Sequence, residues 1–319
     1  MKISVLGCGR WGSFIGWYLV NQGHEVIQWG TEGNRTFELL KNEGGNQYVQ
    51  LDSRIDLTPN LKKAVEDSDV IAISISSQAL RSLIERIKAF DYKEKVFVLC
   101  MKGVELDTGL RLSEVLIDCG IDKSKIAVWV GPGHIQAFTK GYPNCMVIDG
   151  YNSELVKKLA DNFRSDLIRF YYGDDIIGSE IGAATKNIMG IAAGMLDGGG
   201  YTTLKGPLMA RGAREVARLI KAMGGNELSA YGLCHLGDYE TTLFSEYSNN
   251  RAFGEKYVKK LPFDKLAEGV STAKAVKALG EKYGVDLPIT NAVYSILYEN
   301  KEPMKVFLSL FSRSTRKEF

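Results

Sequence analysis

A glycine-rich turn directly after the first apolar run constrains the fold more than any other feature. Residues 7–12, GCGRWG, have the spacing G-x-G-x-x-G and open an amphipathic stretch. In such a turn the first glycine permits the tight bend, the second lets backbone N–H groups approach a pyrophosphate, and the third lets the helix pack on the strand. We therefore predict that Gly7, Gly9 and Gly12, with Arg10 between them, bind a dinucleotide.

Short apolar runs alternate with helix-length amphipathic stretches from residue 2 to about residue 172. This alternation is typical of βαβ units around a mainly parallel sheet. Strands are predicted at Ile3–Leu6, Glu25–Trp29, Val70–Ser74, Val96–Leu99, Ile126–Val130, Cys145–Ile148 and Leu167–Tyr171. Helices are predicted at Phe14–Asn21, Leu61–Asp67, Ala79–Phe90, Leu110–Cys119 and Glu154–Asn162. Residues 1–173 are therefore expected to form a doubly wound, Rossmann-like α/β domain.

The second half of the chain has a different pattern. After Asp175 apolar residues recur at helical spacing, which predicts an all-α domain over residues 174–319. Its helices are predicted at Ile181–Leu196, Pro207–Met223, Lys265–Tyr283 and Thr290–Glu299. The apolar stretch 178–196 contains two charged residues and many glycines and alanines. It therefore predicts a buried helix that neighbouring helices approach closely, rather than a membrane span.

The charge balance narrows the range of partners. Forty Lys and Arg against thirty-eight Asp and Glu give a formal charge of +2. This balance argues against nucleic acid or an anionic membrane surface as the partner and favours a small anion. The five cysteines include no C-x-x-C pair, so the sequence predicts neither a disulfide framework nor a metal site. This cysteine usage favours a reducing cytoplasm. Glycines and an arginine interrupt the apolar start, so we expect no targeting segment.

Two chain segments are expected at the carboxyl edge of the sheet, where open α/β folds bind their ligands. Lys102 follows the strand Val96–Leu99, and Gly131, Gly133 and His134 follow the next one. A surface role for Lys102 and a structural role for His134 remain alternatives.

Lys186 lies in the middle of the glycine- and alanine-rich helix of the second half. A lysine is costly to bury there unless it is paired or functional, and desolvation or a neighbouring cation favours the neutral amine. Lys186 is therefore a candidate general acid or base. The alternative is a structural pair with an acid such as Glu180 or Asp238.

These features, taken with further motifs, resemble the NAD(P)-dependent glycerol-3-phosphate dehydrogenase family across essentially the whole chain. The motifs are GCGRWG at Gly7, HEVIQWG at His24, the lysine-glycine pair at Lys102, GP at Gly131, ATKNIMGIAAGMLDG at Ala184, RGAREVARL at Arg211, YGLCHLGD at Tyr231, NNRAFG at Asn249, EGVSTA at Glu268 and DLPIT at Asp286. The resemblance implies a Rossmann-like first domain and a helical, 6-phosphogluconate-dehydrogenase-like second domain. It also implies reversible conversion of dihydroxyacetone phosphate to sn-glycerol 3-phosphate with NAD(P), a reaction of glycerophospholipid metabolism, in a cytoplasmic homodimer.

The resemblance also implies roles for individual residues. Lys186 matches the catalytic lysine, Lys102 the lysine that contacts substrate and cofactor, and Asp238 the aspartate of the site. Positions near the substrate are Gly131, Gly133, Asn187, Thr242, Ser248, Asn249 and Asn250. Cofactor-contacting positions are Trp11, Lys102, Asn249 and Glu268.

Three departures from the family pattern concern substrate recognition. The family has arginine where this chain has Asn249, serine where it has Gly133, and asparagine where it has Thr203. Arg251 and Lys205 are candidates to replace the missing phosphate-binding cation. Two alternatives therefore stay open: a paralogue that reduces another small phosphorylated or acidic ketone, and a non-catalytic nucleotide sensor. The second strand ends without an acid at its tip, and Glu32 and Arg35 follow it, so the choice between NAD and NADP is open as well.

Overall fold

The computed structural model describes residues 1–315, 317 and 318, and the chain divides into two compact units. Unit 1 contains residues 1–105 and 110–180, and unit 2 contains residues 106–109 and the chain from Ile181 onward. This division falls seven residues after the predicted boundary at 173/174. The reason is local, because Ser179 donates to Asp149 at 2.7 Å and Glu180 accepts from the Ser113 N–H at 2.8 Å.

Unit 1 contains one eight-stranded sheet in the order β3-β2-β1-β4-β5-β6-β7-β8 across the described residues. The strands are β1 Lys2–Leu6, β2 Glu25–Trp29, β3 Asp56–Thr58, β4 Val70–Ile73, β5 Val96–Leu99, β6 Ile126–Val130, β7 Asn144–Gly150 and β8 Ile168–Tyr172. All neighbouring pairs are parallel except β6 with β7. The mainly parallel, doubly wound sheet is thus confirmed. The sequence pattern missed β3, which is three residues long and too short to show an alternation.

Helices cover the sheet of unit 1. They are α1 Arg10–Asn21, α2 Arg35–Glu43, α3 Leu61–Glu66, α4 Leu80–Ile87, α5 Leu112–Asp118, α6 Ile135–Phe138 and α7 Ser153–Phe163. The pattern missed α2 and α6. Tyr18 of α1 and Phe163 of α7 enclose Trp129 of β6, with ring centroids 5.8 and 5.6 Å from it. This aromatic cluster is fully buried and forms part of the core of unit 1.

Unit 2 is helical. Its helices are the main part of α8 Ile176–Gly198, then α9 Lys205–Ala222, α10 Asn249–Val258, α11 Gly269–Lys282, α12 Pro288–Tyr298 and α13 Pro303–Ser309. The pattern missed α10 and α13. In α10 the one buried residue is Gly254, so this helix has no apolar stripe that a periodicity analysis could detect.

Glycines let α8 and α10 approach backbone to backbone. A Cβ at Gly194 of α8 would lie 1.9 Å from the carbonyl oxygen of Arg251, and a Cβ at Gly254 of α10 would lie 2.1 Å from that of Ile191. The expectation of a buried, small-residue helix is therefore confirmed. Among the residues that the structure describes, no helix is both long and apolar enough to cross a membrane.

Candidate active site

The glycine turn after β1 has the geometry that dinucleotide binding requires. Gly7 has φ +125°, and a Cβ there would lie 2.1 Å from the carbonyl oxygen of Ser74. A Cβ at Gly12 would lie 2.1 Å from the carbonyl oxygen of Gly7, whereas a Cβ at Gly9 would meet nothing within 4 Å. The first and third glycines are thus required by close packing. The second leaves open space over the backbone, where a pyrophosphate could approach.

The start of α1 is equally suited to an anion. Gly9 is the N-cap residue, no described side chain caps the helix, and its first turn contains no acid. The positive end of the helix dipole and the backbone of this first turn are therefore suited to phosphate oxygens. The residues of the turn thus fit the dinucleotide that the sequence predicts.

Gln28 supports this turn and is not among the site residues predicted from the sequence. Gln28 lies in β2, is fully buried, and donates through Nε2 to the carbonyl oxygen of Gly7 at 2.6 Å. The signal was a polar residue between Ile27 and Trp29, within the apolar run that follows Glu25 in β2. Gln28 is a positioning residue for the turn.

Arg10 and Trp11 lie beside the glycines. The Arg10 side chain is exposed and its guanidinium lies 5.9 Å from the ring centroid of Tyr48. Trp11 is half-buried, with its ring centroid 5.0 Å from that of Phe14 and 6.4 Å from that of Phe138. Both residues belong to the first turn of α1, directly after Gly9.

Lys102 and Gly131 meet where β5 and β6 end. Lys102 is half-buried and donates through Nζ to the Gly131 carbonyl at 2.9 Å. Gly131 has φ +128°. A Cβ at Gly133 would lie 2.4 Å from Cε2 of Phe138, so the packing of that ring explains why glycine stands there. His134 caps α6 through its backbone conformation, without a side-chain cap bond.

Unit 2 contains a buried ion pair. Nζ of Lys186 on α8 contacts Oδ2 of Asp238, and the two side chains are 10 % and 1 % exposed. Thr241 donates through Oγ1 to the other oxygen of Asp238. Of the two acids considered as partners, Glu180 instead pairs with Arg111 at 2.5 Å. Asp238 is thus held by two donors and in turn orients the Lys186 amine.

His235 fixes the segment that carries Asp238. It is fully buried, its Nδ1 lies 2.9 Å from the Gly182 carbonyl, and its Nε2 lies 2.6 Å from the Tyr239 hydroxyl. A carbonyl only accepts, so Nδ1 carries the proton and Nε2 accepts from Tyr239. Burial lowers the pKa of His235 to about 4. The ring is therefore neutral at pH 7 and serves as a positioning group, which the sequence pattern gave no signal for.

Several segments of unit 2 converge on the α8 turn that follows Lys186. A Cβ at Gly190 would lie 2.8 Å from Cγ2 of Thr242 and 3.2 Å from Cβ of Asn250. Thr242 belongs to a π-helical turn over Glu240–Phe244, a geometry often found at functional sites. Asn250 accepts through Oδ1 from the Gly269 N–H at 2.9 Å.

The beginning of α11 reaches the same turn. A Cβ at Gly269 would lie 2.6 Å from the Asn187 carbonyl oxygen, and Glu268 is the N-cap of α11. The structure therefore brings Lys186, Asn187, Asp238, Thr242 and Asn250 together within unit 2, with Glu268 one residue from the contact.

Ser248 and Asn249 lie at the start of α10. Ser248 is the N-cap and accepts through Oγ from the Arg251 N–H at 3.3 Å. Asn249 donates through Nδ2 to the Leu266 carbonyl at 3.3 Å. At this position the chain thus has a neutral amide on a helix N-terminus.

The two candidate replacement cations share one carboxylate. Nζ of Lys205 and Nη1 of Arg251 each lie 2.6 Å from Oδ2 of Asp197. Lys205 also donates to the Leu243 carbonyl at 3.1 Å, and Arg251 to the Ser245 carbonyl at 3.1 Å. Arg251 also contacts Oε2 of Glu255 at 3.4 Å. Two carboxylates therefore already pair with these two cations beside the π-helical turn.

Comparisons with known proteins cover the whole chain. The family model for the N-terminus of NAD-dependent glycerol-3-phosphate dehydrogenase matches residues 2–156. The family model for the C-terminus of the same enzyme matches residues 175–308. A glycerol-3-phosphate dehydrogenase (NAD(P)+) of Prosthecochloris aestuarii is 35 % identical over 331 residues, covering 100 % of both chains. The one of Thermoanaerobacter sp. strain X514 is 33 % identical and covers 100 % of this chain and 99 % of its own. The crystal structure of glycerol-3-phosphate dehydrogenase from Coxiella burnetii matches with a TM-score of 0.90 at 27 % identity, over 98 % of this chain and 99 % of that one.

A doubly wound sheet with an open glycine turn, followed by a helical unit with a buried lysine–aspartate pair, defines an NAD(P)-dependent dehydrogenase of the two-domain type. The full-length matches specify which one. The chain belongs to the NAD(P)-dependent glycerol-3-phosphate dehydrogenase family, the oxidoreductases that interconvert sn-glycerol 3-phosphate and dihydroxyacetone phosphate.

Proposed function

We propose that Lys186 is the proton donor when this chain reduces dihydroxyacetone phosphate, and the proton acceptor in the reverse reaction. The observation that carries this role is the buried Lys186–Asp238 pair in a helix of small apolar residues. Bound NAD(P)H supplies the hydride that reduces the ketone carbon. The ketone oxygen becomes an alkoxide, and the proton of the Lys186 ammonium neutralises it.

Asp238 and Lys102 assist this step in the proposal. Asp238 holds the Lys186 amine in place and offsets its charge, while Thr241 keeps the carboxylate oriented. Lys102, fastened to the Gly131 carbonyl, supplies a second positive charge for the developing alkoxide. Asn187, Thr242, Ser248 and Asn250 supply hydrogen-bonding groups for the substrate.

Turnover of Lys186 variants tests the role. Purified protein is assayed by oxidation of NADH and of NADPH with dihydroxyacetone phosphate. Lys186→Ala should lower kcat by about 10²- to 10⁴-fold, the usual contribution of a general acid. Binding of NADH, followed by fluorescence titration, should persist.

Lys186→Arg is the matched control for charge and pairing. Arginine can still contact Asp238, but its guanidinium does not release a proton in proteins. We expect this variant to fold and remain inactive. Substantial turnover by either variant would disprove the assignment.

Asn249 favours a second candidate substrate class, other small phosphorylated or acidic ketones. Its side chain is a neutral amide, and both nearby candidate cations already contact Asp197. An arginine at this position would add a charge-assisted contact to a phosphate. If the phosphate binds there, Asn249→Arg should lower KM for dihydroxyacetone phosphate about ten-fold or more. An unchanged KM would place the phosphate elsewhere.

We also propose that the chain forms a homodimer, as the family resemblance implies. Sedimentation velocity of the purified protein tests this directly. A single monomer-sized species at assay concentration would refute the proposal.

A further inference from the structure

A cavity of about 600 Å³ lies in unit 2, and none of the site residues described above lines it. One wall is the face of α9, and the others come from the start of α12, from α13 and from residues 310, 311, 313, 314, 317 and 318. Its volume is within the range of about 300–1,000 Å³ that is usual for small-molecule sites.

The floor of the cavity is apolar. Leu196, Leu208, Ile289 and Phe307 line it and are each less than a tenth exposed. Phe311 at its edge is 63 % exposed. An apolar floor with an uncovered aromatic ring favours a ligand with a hydrocarbon part, because burying apolar surface is the main source of affinity in such pockets.

Three arginines of α9 face this floor. Arg211, Arg214 and Arg218 are spaced three and four residues apart, so they share one face of the helix. Arg218 donates to two backbone carbonyls, those of Asp286 at 2.8 Å and Arg214 at 3.3 Å. These carbonyl contacts hold the guanidinium in place and leave its positive charge in the cavity.

The acids of the lining offset only part of this charge, and Glu215 and Asp286 are the two that act on Arg218. Glu215 accepts from the N–H groups of Ile289 and Thr290 at 2.7 and 3.0 Å, so its carboxylate caps the start of α12. Asp286 pairs with Arg313. Among the described lining residues five are basic and three are acidic.

We propose that this cavity binds an amphipathic anion, a single alkyl or acyl chain that ends in a phosphate or carboxylate. The hydrocarbon chain would lie on the apolar floor, and the head group would contact the α9 arginines. A planar guanidinium group forms bidentate hydrogen bonds with phosphate and carboxylate groups. The bound species is a free amphiphile rather than a lipid in a bilayer, because the apolar surface is a cavity of limited volume.

Calorimetric titration of the full chain with dodecyl phosphate, below its micelle concentration, tests the proposal. We expect saturable binding of one molecule per chain. Dodecyl maltoside has the same tail and a neutral head, and inorganic phosphate has the head without the tail. Each should bind at least ten-fold more weakly, and equal binding of either would overturn the proposal.

Two charge reversals on α9 locate the site. Arg211 lines the cavity and its side chain is exposed, whereas Lys221 lies on the same helix outside the lining. Arg211→Glu should weaken dodecyl phosphate binding about ten-fold, and Lys221→Glu, with the same change of net charge, should not. Equal weakening by both would show non-specific attraction and refute the site.

The source of the ligand is tested with vesicles of phosphatidylcholine that contain phosphatidate. Binding to these vesicles without binding to monomeric dodecyl phosphate would refute a free amphiphile. Neither the titration nor the vesicle assay measures turnover, so their results are independent of the outcome of the Lys186 experiments.

Discussion

The two units bring backbones into close contact in different ways. In unit 1, Gly7 combines a left-handed φ of +125° with a Cβ position 2.1 Å from the Ser74 carbonyl oxygen. In unit 2, Gly194 is an ordinary helical residue whose Cβ position lies 1.9 Å from the carbonyl oxygen of Arg251 on a neighbouring helix. The first glycine is required by a turn that the sequence displays. The second is required by a partner helix that only the fold supplies.

Buried polar groups differ between the units as well. In unit 1, Asp149 accepts from the Gly150 N–H and the Ser179 hydroxyl, each at 2.7 Å, and burial raises its pKa to about 6. In unit 2, burial lowers the pKa of His235 to about 4. The two units should therefore respond to pH in opposite directions.

The largest expected effect comes from closing the space at Gly194. Gly194→Ala places a methyl group against the backbone of α10, so the two helices must separate. We expect unit 2 to lose about 3 kcal/mol of stability or more. Urea unfolding followed by far-UV circular dichroism measures the loss.

Gly206→Ala is the matched control for Gly194→Ala. Gly206 is also helical, and a Cβ there would meet nothing within 4 Å. Its replacement should be neutral or stabilising by up to about 1 kcal/mol. Equal destabilisation by both variants would contradict the role assigned to the α8–α10 contact.

The Asp149 carboxyl should make unit 1 less stable as pH rises. Its folded pKa of about 6 exceeds the usual value of 3.8. Its contribution to the free energy of unfolding is therefore fully present below pH 4 and is lost as pH rises through 6. The loss is about 2–3 kcal/mol. All four tryptophans (Trp11, Trp17, Trp29 and Trp129) belong to unit 1, so urea unfolding followed by tryptophan fluorescence reports on it. In Asp149→Asn this pH dependence should disappear.

His235 should have the opposite effect on unit 2. Its folded pKa of about 4 lies below the usual value of 6.5. Its contribution to the free energy of unfolding is therefore present above pH 6.5 and is lost as pH falls through 4. The loss is about 3 kcal/mol. Helical circular dichroism during urea unfolding at pH 7 and at pH 4.5 should show it. In His235→Gln the unfolding midpoint at pH 7 should be lower, and its further fall toward pH 4.5 smaller, than in the unmodified chain.

The smallest expected effect comes from replacing Gln28, whose side chain supports the glycine turn. Gln28→Met keeps the side-chain length and removes the bond to the Gly7 carbonyl. We expect about 1 kcal/mol of destabilisation and a several-fold higher KM for NADH at unchanged kcat. The control is Gln47→Met at an exposed position, which should leave KM unchanged. An unchanged KM in Gln28→Met would mean that the turn holds its shape without this bond.

The sequence was sufficient where a local pattern carries its own physical reason. GCGRWG after a strand predicted the turn because each of its three glycines is required for a steric reason that involves only a short stretch of chain. The apolar runs predicted seven of the eight strands because parallel strands are buried on both faces. The lysine in a helix of small residues marked Lys186 because an unpaired charge there is costly.

Other features depended on residues far apart in the sequence. Nothing local distinguishes Asp238 from Glu180 as the partner of Lys186, since the choice follows from how the 235–241 segment folds against α8. The same holds for the neutral state of His235, for the sharing of Asp197 by Lys205 and Arg251, and for the cationic cavity beside α9. Burial and partner distance set the energies of such groups, and both exist only once the chain has folded. The sequence therefore determined the class of fold and marked Lys186 as a candidate, and the tertiary structure decided which charged groups that lysine and its neighbours contact.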